Sequence, residues 1–348
     1  MNIEIGNEKR FFDFIKNLDE KDKIVLISHV DLDGITSAKV VNAVVNADNV
    51  KILQYDEVDE KLAEKLKIDG YTKIIISDMY VEREEILKAM ESFAEILILD
   101  HHPSKDWNSD KTTHLKAEEG YCAAYFCYSL FNKVQNIEKL DWLVASACIA
   151  DFCNVKNREW IKAIFEKYGI QTGGYMNKLG FAYDDISKSE IYRVQWDLGL
   201  AIIFFRDNLK RVFESIGESF GDIGDLKEHS SKIEKEVERA MDEFEEKRIE
   251  FEGGYFFVFN PRFNVGGLVS TMISTKYPDK TIMILSEKEN GYSISARRQD
   301  GNVDLGLFLK QLLQGLENAR GGGHRQAAGA YFMKKDLPEI TKRIGLQR

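Results

Sequence analysis

Four short apolar runs alternate with charged segments of helical spacing within the first 150 residues, and this repeat limits the possible folds more than any other feature of the chain. The runs are Lys23–Ser28 (KIVLIS), Lys51–Tyr55 (KILQY), Lys73–Ser77 (KIIIS) and Glu95–Leu99 (EILIL), with helical patterns at Val58–Lys67 and Glu82–Ser92. Short apolar runs alternating with helical patterns are the signature of β-α-β units and predict a parallel sheet. Open α/β sheets bind ligands beyond the carboxyl ends of their strands. Three of the runs end there on polar residues: His29-Val-Asp31-Leu-Asp33, Asp78, and Asp100-His101-His102. The topology therefore predicts that these clusters meet in one crevice.

Alternate residues of an extended segment point the same way, so His29, Asp31 and Asp33 form a row of ligands. Either aspartate could cap a helix beginning near Ile35, but a cap accounts for one of the three. Oxygen ligands mixed with imidazole suit manganese, iron or magnesium better than a thiolate-seeking ion. The donors outnumber what one ion needs. Two divalent ions about 3.5–4 Å apart, bridged by a carboxylate, are a recurrent device for hydrolysing phosphoesters. A metal-bound histidine usually donates its second nitrogen to a carboxylate or carbonyl, and Asp100 is a candidate for that place.

From Gly120 the pattern turns helical, and Trp142–Asp151 reads as an apolar helix ending on a carboxylate. A glycine-containing stretch near 171–180 and a capping box, Ser187-x-x-Glu190, open a further helical region. Leu226, His229, Ile233, Val237, Met241 and Phe244 follow helical spacing through 225–250, which predicts one amphipathic connector helix. The chain then changes character: Tyr255–Phe259, Thr281–Ser286 and Gly291–Arg297 are strand-like, with helices expected at Gly266–Lys276 and Asp304–Leu316.

This last region holds Gly321-Gly-Gly-His-Arg-Gln-Ala-Ala-Gly329. Three consecutive glycines are costly in backbone entropy, which points to positive φ or to backbone N–H groups brought close to an anion. Five basic and three acidic residues lie between Gly291 and Ala330, a positive balance in a chain of net charge −10. Phosphate is the expected guest, with Arg297 offering a bidentate contact.

The overall acidity argues against a stable complex with long nucleic acid, which needs clustered lysine and arginine. At 348 residues and 44% hydrophobic content, the chain can build two cores. The expected division is 1–155, a helical connector at 156–252, and a smaller α/β domain at 253–348. No apolar run approaches the roughly 18–20 residues of a membrane span, and no secretory pattern opens the sequence, so a cytoplasmic location is expected without membrane contact. The four cysteines, Cys122, Cys127, Cys148 and Cys153, are expected in helices as buried thiols. A homodimer is compatible with all of this.

In these residues the chain resembles the DHH phosphoesterase family, in the branch with a DHH-associated C-terminal domain that includes RecJ-like nucleases, NrnA-like oligoribonucleases and phosphoadenosine-phosphate phosphatases. The likeness covers about 1–155 and 253–335. His29-x-Asp31-x-Asp33-Gly34 resembles the first motif of the family, Asp78 the second, Asp100-His101-His102 the third and Asp151 the fourth. The stretch Gly321–Gly329 is similar to the signature of the C-terminal domain. The resemblance implies two divalent ions, manganese by preference. His29 and Asp31 would hold one, Asp33, His101 and Asp151 the other, and Asp78 would bridge them. His102 would face the scissile phosphate as stabiliser or proton donor, with Asp100 orienting the histidines. Ser295 and Arg297 would contact substrate, and Gly322, Gly323 and His324 would hold its far end in a cleft between domains. Ala147-Cys148 stands ahead of Asp151 where relatives often carry glycine, and the segment between the domains is longer than in compact NrnA-like members. The length leaves no room for the oligonucleotide-binding fold of full RecJ nucleases. The resemblance implies hydrolysis of short oligonucleotides or dinucleotides to mononucleotides. The alternatives are a RecJ-like 5′ exonuclease on single strands, a phosphoadenosine-phosphate phosphatase, and a nucleotide-binding subunit without activity.

Overall fold

The first, third and fourth apolar runs of the N-terminal region are strands buried on both faces, and their side chains divide by parity between two helical layers. In the computed structural model, which describes residues 1–171 and 189–346, the chain folds as two units, Met1–Ser230 and Ser231–Arg348. The first unit contains strands β1 (Ile3–Ile5), β2 (Ile24–His29), β3 (Asn49–Leu53), β4 (Lys73–Ser77), β5 (Glu95–Asp100) and β6 (Thr112–Ala117). They form one sheet in the order β1-β6-β5-β4-β2-β3, parallel except for β1 against β6. Leu26, Ile75, Leu97 and Leu99 pack into one core, while Val25, Ile27, Ile74, Ile76, Ile96 and Ile98 pack into the other. The parallel α/β sheet is thus the expected fold class, and helices cover both of its faces.

The second run is shifted from its expected place. It pairs over Asn49–Leu53, and Tyr55 instead begins a tight turn in which the Glu57 carboxylate accepts the Gln54 N–H at 2.7 Å. Strands β1 and β6 lacked a visible signal, because β6 (TTHLKA) buries polar side chains that carry their own partners. Thr112 donates to Glu91 at 2.6 Å, Lys116 pairs with Glu4, and the His114 ring nitrogen accepts the Trp107 N–H at 3.3 Å.

The stretch 156–252, read as a connector, does not form a body of its own. Helices Arg158–Tyr168, Glu190–Phe204 and Leu209–Ser215 bury Ile161, Ile164, Phe165, Ile191, Leu198 and Val212 in the first unit's core, and only the helix Leu226–Lys247 crosses the boundary between units. Residues 172–180 and Ser187 lie outside the described residues. The helix beginning at Glu190 is capped by Ser189, whose side chain accepts the Tyr192 N–H. All four cysteines are free and buried. Cys127 and Cys148 lie within helices, but Cys122 immediately precedes the helix Ala123–Phe131 and Cys153 follows the end of Asp141–Ala150.

The second unit has strands β7 (Ile249–Phe251), β8 (Gly254–Phe259), β9 (Thr281–Glu287), β10 (Gly291–Arg297), β11 (Arg320–Gly323) and β12 (Ala327–Met333), ordered β11-β12-β10-β9-β8-β7. Only β8 and β9 run parallel, and the helix Gly266–Lys276 connects them. The three glycines are not a turn. They belong to the edge strand β11, and Gly323 alone among them has positive φ, at 136°, where the chain turns back into β12.

Candidate functional site

Strands β5, β4 and β2 lie side by side and parallel, so their carboxyl ends bring the three polar clusters together. Two serines fix the first turn beyond them. The Ser28 hydroxyl donates to the Gly34 carbonyl at 2.7 Å and lies 2.9 Å from the Ser77 hydroxyl, tying the end of β2 to that of β4. The turn is close enough that a Cβ on Gly34 would lie 2.3 Å from the His29 carbonyl oxygen. Gly34→Ala is therefore expected to cost about 1–3 kcal/mol of stability through overpacking and to displace His29, measurable as a lower unfolding midpoint together with weaker divalent-metal binding.

Beyond that turn Asp31 caps the helix Leu32–Val45, accepting the Gly34 N–H at 2.9 Å, while its other oxygen lies 2.8 Å from His29 Nδ1. Burial raises the Asp31 carboxyl, but its bond to His29 and that ring's charge outweigh the burial and hold it at about 2. Asp33 faces another way. Its two oxygens accept the Ala123 and Ala124 N–H groups, each at 2.8 Å, so the first turn of the helix Ala123–Phe131 cradles it.

Asp78 follows β4 with φ 56°, a costly conformation for a non-glycine residue that aims its carboxylate. It is buried, and neither oxygen has a hydrogen-bond partner among the described residues. Each oxygen instead faces a different histidine: Oδ2 lies 3.8 Å from His29 Nδ1, and Oδ1 lies 3.3 Å from His101 Nε2. The His101 nitrogen is also 3.6 Å from Asp33 and 3.9 Å from Asp151. Donor atoms of His29, Asp31 and Asp78 converge within 4.8 Å of one another, as do those of Asp33, His101 and Asp151, and those of Asp78, His101 and His102.

Burial and then the charges of Asp33 and Asp31 push Asp78 well above the usual carboxylate range, and the same causes bring Asp151 up to about 7. Burial also raises Asp33. Among the described residues no lysine or arginine pairs with these carboxylates. So many buried carboxylates without cationic side chains fit divalent ions, and the oxygen-and-imidazole set fits hard or intermediate ones. No thiol belongs to these groups, although Cys153 Sγ lies 3.4 Å from an Asp151 oxygen.

Asp100 acts on His102 rather than His101. Its Oδ1 lies 2.8 Å from His102 Nδ1, and Tyr55 Oη lies 3.3 Å from the same nitrogen. A protonated Nδ1 donates to both oxygens and leaves Nε2 without a partner among the described residues. Burial opposes charging of His102, but the bond to Asp100 prevails and raises its pKa. Sequence reasoning missed the tyrosines here. The Tyr55 ring centroid lies 5.1 Å from that of His29 and 5.2 Å from that of Tyr80, which in turn is 6.3 Å from His102. The available signal was an aromatic residue in the segment beyond each of two strands, Tyr55 after β3 and Tyr80 after β4.

In the second unit Ser295 and Arg297 share one face of β10, opposite the face on which Ile294 and Ala296 are buried. Ser295 aligns with Gly329 of β12, which aligns with Gly322 of β11. The Arg297 guanidinium bonds only the Ala296 carbonyl, at 2.9 Å, and has no carboxylate partner among the described residues. Gly323 and the exposed His324 stand at the hairpin, closed by the His324 N–H donating to the Ala327 carbonyl at 2.8 Å. The helix Gly266–Lys276 was expected, but not that its N-terminus lies beside Ser295: a Cβ on Gly266 would lie 3.4 Å from the Ser295 hydroxyl.

Two family models match the chain: the DHH family N-terminal domain over 23–152 and the DHHA1 domain over 260–346. No curated protein sequence matches it. Similar solved structures include an exonuclease RecJ bound to manganese, with a TM-score of 0.69 at 14% identity, covering 99% of this chain and 94% of that one. RecJ from Thermus thermophilus in complex with Mn2+ has a TM-score of 0.67 at 12% identity over 97% of this chain, which spans about half (53%) of that one. CDC45 from Entamoeba histolytica has a TM-score of 0.67 at 10% identity over 97% of each chain. At these identities the likeness is one of fold. Among the described residues no helix is long and apolar enough to cross a membrane.

Proposed function

Because the chain belongs to the DHH family and carries its DHHA1 domain, we propose that it is a two-metal phosphodiesterase, hydrolysing short oligonucleotides or dinucleotides to mononucleotides. The observation that carries the reading is Asp78, a buried carboxylate with two unpartnered oxygens, each facing a different histidine. His29 and Asp31 would hold one ion, Asp33, His101 and Asp151 the other, and Asp78 would reach both. When bound, divalent ions supply a water of lowered pKa and positive charge over the phosphate; manganese is the expected metal.

The chain's own residues supply the rest. The helix cradle fixes the Asp33 carboxylate, and Ser28 with Ser77 fixes the strand ends that present His29 and Asp78. Asp100 holds His102 with Nε2 free, so His102 donates a proton to the leaving oxygen. Asp100→Asn is expected to lower kcat by about 10²-fold, the scale of general acid catalysis, with little change in KM; steady-state kinetics on a dinucleotide check this. In the second unit, Arg297 and Ser295 would hold a phosphate of the substrate, which is a short strand rather than long nucleic acid.

The test is product analysis after incubating manganese-loaded protein separately with a 5′-phosphorylated dinucleotide and a 5′-phosphorylated strand of about 30 nucleotides, well beyond the footprint of a single binding module. Release of mononucleotides from the dinucleotide, with slow attack on the long strand, is expected. The reverse preference would replace this reading with a RecJ-like exonuclease. Nucleotide binding without turnover of either would leave a binding subunit.

A further inference from the structure

The second unit holds a groove of about 560 Å3 beside the Ser295 row, lined by Lys288, Ser293, Arg320, Gly321, Gly329 and Tyr331. Cross-strand register explains how Ser293, Tyr331, Arg320 and Gly329 come to share a face. Ser293 of β10 aligns with Tyr331 of β12, and Tyr331 with Arg320 of β11. The next row toward Arg297 is Ser295, Gly329 and Gly322, and the row after it contains Arg297 and Ala327. Residues of the opposite parity, Ile294, Ala296, Ala328 and Phe332, are buried in the core, so the rows form one polar face.

The chemistry of the groove is specific. Arg320 is exposed, and among the described residues its guanidinium has neither a carboxylate nor a hydrogen-bond partner. Tyr331 is half-buried, which leaves part of its surface open to the groove. The floor beside them, in the next row, is bare backbone, since a Cβ on Gly329 would meet nothing nearer than the Ile294 carbonyl oxygen at 3.7 Å. A cation, a half-exposed aromatic and a hydroxyl over open backbone are the groups that take up the phosphates and bases of single strands. Strands about 4.8 Å apart and rows about 7 Å apart place the Arg320 and Arg297 α-carbons roughly 17 Å from each other, a span over which the two guanidiniums can serve different phosphates.

We propose that this groove binds a further nucleotide of a single-stranded oligonucleotide, with Arg320 on its phosphate and Tyr331 against its base, so that the protein prefers strands longer than a dinucleotide. The inference rests on the reading that the second unit holds a nucleotide phosphate. It adds a second contact point and a length preference.

Binding can be tested apart from hydrolysis. The full chain, stripped of divalent ions with EDTA, is titrated into a 3′-fluorescein dinucleotide and a 3′-fluorescein pentanucleotide, and anisotropy is read. The wild type is expected to bind the pentanucleotide about tenfold more tightly, the scale of one stacked base and one phosphate contact. Arg320→Ala and Tyr331→Leu should each remove most of that advantage while the dinucleotide Kd stays within about twofold, and Tyr331→Phe should keep it. Arg320→Ala should also lower the salt slope for the pentanucleotide by about one. A wild type without length preference, or variants that retain it, would overturn the proposal. The phosphodiesterase reading fails separately, if the manganese-loaded wild type hydrolyses neither substrate.

Discussion

Asp78→Asn is expected to lower the proposed metal-dependent phosphodiester hydrolysis by about 10³-fold or more, the size that follows if losing one carboxylate oxygen removes several kcal/mol of charge stabilisation at about 1.4 kcal/mol per tenfold. The amide keeps the shape of the side chain but has neither the charge nor a second oxygen, and the two oxygens of Asp78 face different histidines. Removing a buried, unpartnered carboxylate relieves the metal-free fold, so the variant should be at least as stable as the wild type without metal. Hydrolysis rate and unfolding midpoint, measured on the same preparation, therefore move in opposite directions. A variant that keeps turnover within tenfold of wild type would mean that Asp78 spans no pair of ions.

The second large effect is on stability. Manganese at about a hundred times its dissociation constant should add roughly 2.7 kcal/mol per site, or about 5–10 °C in the midpoint of a unit of this size. The sign with pH follows from the carboxyls. Asp151 titrates at about 7 in the metal-free fold, above the ordinary 3.8, because of burial and the charges of Asp33 and Asp31. Asp78 is raised in the same sense. The folded state thus holds protons that the unfolded chain releases. Their contribution is fully present below the ordinary carboxylate range and is lost as pH rises through 7. Asp31 acts oppositely, its stabilisation fading only as pH falls from 3.8 through about 2. Metal-free protein should therefore melt lower at about pH 8 than at about pH 5.5, and the shift produced by manganese should be larger at the higher pH. Differential scanning fluorimetry at both pH values decides it; an equal shift at the two would show that ions do not displace those protons.

What could be read in the sequence follows from which side chains had to be apolar. β2, β4 and β5 are buried on both faces, so their runs stood out, and the polar residues after each run marked the carboxyl ends where the crevice lies. β6 shares that sheet yet was invisible, since a buried Thr112, His114 or Lys116 with its own partner gives no apolar signal. The boundary of β3 was misplaced at Tyr55 because an aromatic that closes a turn looks like the end of a strand. In the candidate site the residue types were legible and their pairings were not. Nothing in Asp100-His101-His102 says which histidine bonds the aspartate, nor that Tyr55, from the turn after β3, comes to the same ring nitrogen. The cradle of Asp33 is built by residues about ninety positions further on, a relation set by packing alone. Likewise the apolar faces within 156–252 do not announce which body they join.

The spread of the converging donors from His29 to Asp151 orders events on the ribosome. At a synthesis rate of about 5–20 residues per second, the nascent chain carries His29 and Asp31 for on the order of ten seconds before Asp151 is made. The set of His29, Asp31 and Asp78 can assemble once β4 is out, whereas that of Asp33, His101 and Asp151 must wait for the helix Asp141–Ala150. Translation itself therefore imposes a sequence on the two halves of the centre, and a chain stalled ahead of that helix can complete only the first.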